Sequence, residues 1–381
     1  MSTLKVNKIR DTSGSTDAIV LDPSGGAVLA GVTTISTARV TTGITSTSLQ
    51  VGAAVTITES GIEASGVGIT CANINGAQIG GRRNIIINGE FQIAQRSGMD
   101  TAVTATTDSE YLSVDRFRWR SYGGAGRASF TQVSGDYPSS DFRYSLKAIC
   151  TTVNSSEGSH DQGIGYTVEG YDMQRLGWGR SNPKNCTLSF WAKTSVAGTY
   201  CVSFRQGAAT RSQIKEYTLS ANTWTKVKLT ITGDSDSTWL NSDYTTVGKG
   251  ILIEWSLGKS NSKNTSTVNS WISGNKVASD NQVRWIATLG ATFSLTGVQL
   301  EVGDHATAFE HRSFGEELQL CSRYFQQFEG GGNSFFASGF TAGNDFYGGS
   351  TLPMGKMRAA PTVAVDGTLS HLNYTLSLIH I

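Results

Sequence analysis

Aromatic side chains are absent from the beginning of this chain: every Phe, Tyr and Trp (15, 12 and 8 residues) lies at or after Phe91. A segment without large apolar side chains has little surface to bury, so it cannot easily build a core by itself. This absence argues against an independent monomeric domain before Phe91. Residues 1–82 are therefore predicted to fold only against other chains.

Other absences exclude further classes of protein. The net charge of +1, with 16% charged residues, argues against a generic nucleic-acid-binding chain. There is no run of about 18 apolar residues and no apolar stretch of a signal peptide, so we expect no membrane insertion and a soluble chain made in a cytoplasm. The 5 cysteines contain no CxxC pair, so we predict ordinary small apolar residues rather than a disulfide framework or a zinc knuckle.

Proline is also scarce, with 5 residues against 44 glycines, and short runs of β-branched residues are separated by Gly, Ser, Asn and Asp. That pattern is typical of many strands joined by turns. Within 27–80 the runs alternate Thr with Val or Ile, and VTT at 32–34 recurs at 40–42. Such strands have a narrow apolar face. They suit a stalk in which three chains wrap around one axis, or, alternatively, the segment is a Gly/Thr/Ser-rich linker.

Longer and more apolar strand candidates follow the first aromatic residues. They lie at 84–87, 144–149, 187–193, 199–204, 224–231, 250–255 and 292–300. No helical period of comparable length interrupts them. Residues 83–312 are therefore predicted to form one all-β sandwich.

A helix is predicted over 313–329. Ser313 and Glu316 have the spacing of a capping box, and apolar residues follow at the spacing of a coiled-coil seam: Phe314, Leu318, Cys321, Phe325 and Phe328. Two heptads are too short to hold chains together alone, so the helix either packs on its own sandwich or forms a three-helix neck. The GGGN at 330–333 is expected to end it.

Residues 330–381 turn β-like again and are predicted to be a partial C-terminal β domain. The final LSLIHI (376–381) resembles a translated sequencing adapter, so we expect the natural protein to continue differently after about Tyr374. The alternative is an authentic apolar terminal strand.

Two stretches of the sandwich region resemble the first and last strands of carbohydrate-binding-module-like jelly rolls: NIIINGEFQ (84–92) and LTGVQLEVG (295–303). Further stretches are similar, in the same order, to tail fibre proteins of tailed bacteriophages, particularly marine ones. These are LKVNKIRDTSG (4–14), IAQR (93–96), VDRFRW (114–119), ATAFE (306–310), EELQLCSRYFQ (316–326) and MRAAPTV (357–363).

This resemblance implies a homotrimeric virion protein, assembled in the host bacterial cytoplasm and joined to other virion tail proteins. Its elements would be an elongated trimeric β stalk, a jelly-roll β-sandwich, a short helical neck and a partial C-terminal β domain. Its function would be host attachment through a cell-surface glycan, bound multivalently. The alternatives are a purely structural spacer and a glycan-degrading fibre.

Tryptophan residues are the candidate sugar-binding groups, because aromatic faces stack on pyranose rings. Trp178, Trp239 and Trp271 lie in loop-like surroundings and are predicted to be exposed ligand-binding residues. Trp191 and Trp224 lie within strand-like runs and are predicted to be core. Jelly rolls of the type that the chain resembles often hold a structural Ca²⁺, which implies Glu90, Asp115 and Glu301 as candidate oxygen ligands.

No nucleophile–base, zinc-protease or P-loop motif occurs, so we expect no enzymatic activity. The five histidines never occur at i, i+4, which argues against a histidine-rich metal site. Asp161, Glu169 and Glu254 are acidic residues from which a glycosidase pair would have to come, and solvated surface carboxylates are the alternative.

Overall fold

The chain divides into two compact units, residues 1–71 and 72–381. The computed structural model describes 82–123, 126–156, 161–240, 246–327, 357–360 and 362 with their side chains, and short strands within 8–78 and 338–375 by their backbone. The sequence placed the first boundary near 82, whereas the division here falls at 71.

Two small antiparallel sheets occupy the first unit, with the strand orders β1-β2-β3 and β4-β5-β6. The strands are β1 Lys8–Arg10, β2 Asp17–Leu21, β3 Ala27–Leu29, β4 Ser48–Val51, β5 Val55–Thr58 and β6 Gly61–Ala64. Each strand pairs with its neighbour along the same chain. The predicted runs at 32–35 and 40–44 lie outside the described residues.

The second unit contains most of the strands. They are β7 Asn73–Ile74, β8 Ala77–Gln78, β9 Val103–Thr104, β10 Ser109–Tyr111, β11 Arg118–Tyr122, β12 Arg127–Ser134, β13 Tyr144–Thr152, β14 Asp161–Glu169, β15 Cys186–Thr194, β16 Gly198–Gln206, β17 Arg211–Leu219, β18 Thr225–Ile231, β19 Lys249–Ser256, β20 Asn264–Thr265, β21 Trp271–Ser273, β22 Ala278–Ser279, β23 Thr292–Val302, β24 Ser338–Ala342, β25 Asp345–Gly349, β26 Ser370–His371 and β27 Tyr374–Thr375. The α-helices are α1 Gly170–Met173 and α2 Phe314–Ser322, and 3₁₀ turns lie at Gln174–Leu176, Ser237–Leu240 and Trp285–Ala287. No helix in the described ranges is long and apolar enough to cross a membrane.

Two antiparallel sheets form the predicted β-sandwich. One has seven strands in the order β10-β11-β14-β19-β16-β17-β21, and the other has six in the order β18-β15-β23-β13-β12-β9. Five of the strand predictions are confirmed. Strands β13, β15, β16, β19 and β23 correspond to the predicted runs at 144–149, 187–193, 199–204, 250–255 and 292–300. Two packed antiparallel sheets thus make the aromatic-rich region predominantly β.

Aromatic rings fill the space between the sheets. Phe117 lies 5.0 Å from Tyr166 and 6.1 Å from Trp255, measured between ring centroids, and Phe91 lies 4.7 Å from Phe117. All four rings are buried. Because such rings each remove 150–250 Å² from water, they dominate the stability of this core. Cys150, Cys186, Cys201 and Cys321 are buried and form no disulfide, which confirms their prediction as apolar residues; Cys71 lies outside the described residues.

The segment 84–87 corrects a prediction, because it is not a strand. It enters the sandwich as irregular backbone whose polar groups bond to side chains. Glu310 Oε2 accepts from the Asn84 N–H at 2.8 Å, and the Tyr166 hydroxyl from the Ile87 N–H at 2.8 Å. Three consecutive isoleucines therefore gave a strand signal, but side chains accept from the N–H groups of Asn84, Ile86 and Ile87, while the Ile85 N–H donates to the Leu300 carbonyl of β23 at 2.8 Å.

Helix α2 packs on its own sandwich. The Ser313 hydroxyl accepts from the Glu316 N–H at 3.3 Å, which confirms the predicted cap, while the Glu316 carboxylate accepts from Arg82 at 2.7 Å. Cys321 is buried against Ile87 and Ile93. The helix ends at Ser322, earlier than predicted. Within its apolar stripe, Cys321 is buried and Leu318 packs against the same cluster, whereas Phe314 is exposed. Phe328 and 330–333 lie outside the described residues.

Candidate functional site

The outer face of the seven-stranded sheet is lined with charged side chains at its centre. Strand register places Arg118 opposite Gly165, Gly165 opposite Glu254, and Glu254 opposite Ser203. Since side chains alternate across a strand, the neighbouring residues Trp119 and Trp255 point into the core instead. The face that carries these groups is called the polar face below.

Glu254 is the buried centre of the polar face. Its Oε2 lies 3.3 Å from Arg120 Nε and accepts a hydrogen bond from Arg205 Nη2. The other terminal nitrogen of Arg205, Nη1, donates a hydrogen bond to Asn275 Oδ1 at 2.8 Å. A buried carboxylate between two guanidinium groups holds both of them at defined positions, which makes the site rigid.

Two glycines of β14 make room for these side chains. A Cβ on Gly165 would lie 2.8 Å from Arg120 Cδ, and one on Gly163 would lie 3.0 Å from Glu254 Cγ. A side chain at either position would displace a neighbour: the flexible Arg120 side chain at Gly165, and the Trp255 backbone at Gly163. The long side chains of Arg120 and Glu254 therefore meet over a strip of bare backbone.

A second ion pair lies at the end of the same face. Lys263 Nζ lies 2.9 Å from Asp161 Oδ1 and 3.8 Å from the centre of the Tyr122 ring, and Tyr122 pairs with Asp161 across β11 and β14. Burial, and after it the Glu254 carboxylate, raises the pKa of Asp161. Lys263 thus fixes both the carboxylate and one side of the tyrosine ring.

The polar face keeps hydrogen-bonding capacity that its own residues do not use. Within the described ranges, six buried atoms of this face have no hydrogen-bond partner: Arg118 Nε, Arg120 Nε, Asp161 Oδ2, Ser203 Oγ, Arg205 Nε and Glu254 Oε1. Buried polar atoms are nearly always paired, so a cluster of unpaired ones requires an explanation. Hydroxyl groups of a ligand, which both donate and accept, would satisfy donors and acceptors alike.

Exposed tyrosines border the polar face. The side chain of Tyr122 is 54% exposed and that of Tyr111 is 38% exposed. Tyr111 pairs with Arg118 across β10 and β11, so it projects from the same side of the sheet. The face therefore combines aromatic surface at its border with charged groups at its centre, which is the composition of a small-molecule or sugar site.

No family model matches this chain, and no curated protein is similar to it in sequence. Solved structures with similar parts include the enzymatically active domain of tailspike protein 4 of Bacteriophage CBA120 (13% identity, 57% of this chain, 21% of that chain, TM-score 0.29). They also include a putative sugar binding protein from Bacteroides thetaiotaomicron (13%, 58%, 100%, 0.30) and the family 11 carbohydrate-binding module of a Clostridium thermocellum cellulase (13%, 54%, 99%, 0.25). The match spans about a fifth of the tailspike structure. Scores of this size assign neither family nor function, so the fold rests on the strand pairing above.

The three tryptophans predicted to bind a ligand come together, but as a buried cluster. Trp178 lies 4.8 Å from Trp239 and 5.3 Å from Trp271, and Trp239 lies 5.2 Å from Trp271. Trp178 and Trp239 are 0% and 1% exposed, so the expectation that they are surface residues is wrong. Trp271 is half-buried.

Each indole N–H of this cluster already has a partner. Trp178 donates to the Lys184 carbonyl, Trp239 to Asp234 Oδ2 and Trp271 to the Thr232 carbonyl, all at 2.7 Å. Satisfied donors and edge-to-face packing are features of a core. Loop-like composition misled the prediction, because Trp178 and Trp239 belong to the core cluster and Trp271 begins the edge strand β21.

The tryptophans predicted to be core are instead half-buried on the six-stranded sheet. Trp191 follows the buried Phe190 in β15 and therefore points outward. Lys226 lies 5.9 Å from the centre of the Trp191 ring, and Lys193 lies 5.2 Å from that of Trp224. Adjacent aromatic residues in a strand cannot both face one core, so alternation could have revealed this.

The three candidate calcium ligands do not form one site. Asp115 accepts from Gln95 and lies 3.0 Å from Arg96, Glu301 accepts from the Thr307 hydroxyl at 2.7 Å, and Glu90 accepts from Gln92 at 3.0 Å. In the part of the chain that the structure describes, no group of three His, Cys, Asp or Glu could hold a metal ion. Each carboxylate instead holds neighbouring parts of its own chain together.

Two of the three acidic residues considered for catalysis lie on the polar face. Asp161 and Glu254 are near enough for one charge to raise the pKa of the other, whereas Glu169 pairs with Arg323 at 3.0 Å at the end of β14. Sequence reasoning missed the cations Arg118, Arg120 and Arg205. The alternation of Arg with aromatic residues in RFRWR (116–120) was the signal that could have found two of them.

Proposed function

We propose that the β-sandwich binds a carbohydrate on the polar face of its seven-stranded sheet. The observation that carries this proposal is the cluster of buried polar atoms without partners around Glu254, bordered by the exposed ring of Tyr122. Sugars present apolar C–H faces beside hydroxyl groups, so they need this pair of features.

The residues of the face have separate tasks in this account. Tyr122 and Tyr111 provide ring surface for stacking, Glu254 and Asp161 accept hydrogen bonds from sugar hydroxyls, and Arg120 donates to them. Because the Glu254–Arg205 network is already in place, little side-chain ordering is needed on binding. A single site of this kind has modest affinity, so repetition of the chain would be needed for firm attachment.

Affinity electrophoresis in gels that contain purified bacterial surface polysaccharides tests this site. Tyr122→Ala is expected to lower affinity about tenfold, the scale of one lost stacking contact. Tyr171→Ala is the matched control, because Tyr171 is 52% exposed but lies in α1, outside the strands of the polar face. The proposal would be contradicted if the parent and Tyr122→Ala were retarded equally, or if no polysaccharide retarded the parent.

We further propose that the chain is part of a homotrimeric bacteriophage tail fibre that attaches the virion to a host-surface glycan. The ordered stretches that resemble tail fibres support this, from LKVNKIRDTSG near the start to MRAAPTV after α2. Light scattering of the full chain and of residues 72–381 tests the assembly. A full-length trimer that becomes monomeric on truncation is expected, whereas a full-length monomer would contradict the stalk.

Glycan cleavage is the competing function. It would need one protonated and one ionised carboxyl group. Burial raises the pKa of Asp161, but both it and Glu254 contact cations that stabilise the ionised form, Lys263 in one case and Arg120 with Arg205 in the other. We propose binding without catalysis, and reducing ends released from a bound polysaccharide would contradict it.

A further inference from the structure

A pocket of about 160 Å³ continues the polar face beyond Tyr111. Tyr111, Arg118 and Thr167 belong to both surfaces, since they line the pocket and project from the outer side of β10, β11 and β14. The volume is several times the roughly 30 Å³ share of one water molecule, which is enough for a carboxylate, sulfate or phosphate group. A ligand lying on the polar face could therefore place one substituent in this pocket.

The pocket is rich in cations. Its lining contains five basic residues and two acidic ones: Arg96, Arg116, Arg118, Lys249 and Arg358 against Asp115 and Glu169. Both acidic residues are already bound. Asp115 Oδ1 lies 3.0 Å from Arg96, and Glu169 accepts from Arg323 at 3.0 and 3.1 Å.

Three of the four remaining cations donate to neutral groups. Arg116 donates to the Thr167 carbonyl at 2.7 Å, Arg358 to the Val247 carbonyl at 2.9 Å, and Arg118 to the Thr167 hydroxyl at 3.3 Å. Among the described residues, no carboxylate forms an ion pair with these three arginines. Asp115 and Glu254 act on Arg116 and Arg118 only through space, without an ion-pair contact. Positive charge at a partly buried site attracts anions strongly, because little water screens it.

Aromatic rings hold part of this cationic lining in place. The Arg116 guanidinium lies 3.4 Å from the centre of the Tyr324 ring, and that of Arg96 lies 3.7 Å from the centre of the Phe325 ring. Both rings follow helix α2, whose packing on the sandwich thus builds one wall of the pocket. Stacked guanidinium groups lose little freedom when an anion binds them.

We propose that the glycan bound on the polar face is acidic, and that its carboxylate or ester-linked sulfate or phosphate enters this pocket and binds Arg118. The inference rests on the proposed function, because it assigns a substrate class to the same face. Arg118 would be the residue that determines specificity, since it lies between Tyr111 and the Glu254 network. Lys249 and Arg358 would supply further charge at the rim.

Paired polysaccharides test the proposal. Purified bacterial capsular and O-antigen polysaccharides would be compared before and after removal of their charge, by carboxyl reduction or by desulfation or dephosphorylation, in affinity electrophoresis at fixed ionic strength. The proteins are the full chain, Arg118→Gln, Tyr122→Ala and the control Lys228→Gln. Lys228 is an exposed cation of β18 in the six-stranded sheet, so its loss changes the net charge equally.

We expect acidic polysaccharides to retard the parent protein, and both charge removal and Arg118→Gln to weaken binding about tenfold. Lys228→Gln is expected to leave binding unchanged. If Tyr122→Ala weakens binding while charge removal and Arg118→Gln do not, the acidic-glycan inference is overturned and the proposed function stands. If Lys228→Gln weakens binding as much as Arg118→Gln, the effect is one of net charge and the pocket is overturned. If no polysaccharide retards the parent protein, both proposals fail.

Discussion

Arg120 Nε lies 3.3 Å from Glu254 Oε2, although their strands are separated by β14. The contact is possible because the Arg120 side chain lies over Gly165, where any side chain would lie in its path. A glycine in a strand interior usually weakens the strand, so its presence here is explained by what crosses it. The pair forms the centre of the proposed glycan site.

Gly165→Ala tests this arrangement. The added Cβ would lie 2.8 Å from Arg120 Cδ, which is part of a flexible side chain, so Arg120 is expected to move. We expect the free energy of unfolding to fall by less than about 1 kcal/mol, and glycan affinity to fall severalfold. Gly163→Ala is the comparison. Its Cβ would lie 2.5 Å from the Trp255 carbonyl oxygen, so the backbone must shift at a cost of about 1–3 kcal/mol. Urea unfolding that ranks the two variants in the opposite order would contradict the geometry.

The tryptophan cluster is expected to act in stability rather than in binding. Trp239→Ala removes a fully buried ring that contacts Trp178 and Trp271, so unfolding free energy should fall by about 3–5 kcal/mol. Trp239→Phe keeps most of the ring and loses the donor to Asp234, so it should be milder and remain folded. Glycan affinity of folded Trp239→Phe is expected to equal that of the parent. A selective loss of binding, with stability unchanged, would restore the sequence-based interpretation.

Glu317 is expected to join α2 to the sandwich. Its Oε1 accepts from the Asn88 backbone N–H and lies 3.5 Å from Arg312 Nη1, and all three residues are buried. Glu317→Ala leaves that N–H without an acceptor, so we expect a loss of about 1–3 kcal/mol in urea unfolding. The neighbouring Glu316 is exposed and pairs with the exposed Arg82, so Glu316→Ala should cost less than about 1 kcal/mol. Equal effects of the two variants would mean that the helix does not depend on its buried contact.

Asp161 predicts a pH dependence of stability. Burial, followed by the Glu254 charge, raises the pKa of this carboxyl in the folded protein. The folded state then binds the proton more tightly than the unfolded chain, so this contribution to stability is complete below the unfolded pKa of about 3.9 and is lost as pH rises through the folded pKa. Asp161→Asn does not titrate. Its stability relative to the parent should therefore increase from pH 4 to pH 7 in urea unfolding. A relative stability that decreases over this range would show that Lys263 lowers the pKa below its usual value.

Sequence alternation was sufficient for much of the fold. The strands β13, β15, β16, β19 and β23 were predicted because each carries β-branched and aromatic residues over several positions. Ser313 was predicted as a helix cap for a local reason, since its hydroxyl bonds three residues ahead. Strands and helix caps depend on residues that are close in sequence, so they could be predicted without the structure.

The candidate site was not accessible in this way. Glu254, Arg120 and Arg205 belong to three strands that the sequence separates widely, and only sheet order brings them together. The tryptophan predictions failed for a related reason. Loop composition indicates exposure on average, but the loops that carry Trp178 and Trp239 cover the core, which is a property of the tertiary fold.

The most direct measurement is hydrogen–deuterium exchange of the protein with and without a polysaccharide that retards it in affinity electrophoresis. Protection is expected in peptides that cover the polar face, in β10, β11 and β19, and at Lys263. Peptides from β13 and β18 of the six-stranded sheet, which lie on the other side of the sandwich, should exchange equally in both states. Protection confined to the six-stranded sheet, near Trp191 and Trp224, would contradict the placement of the glycan site on the polar face.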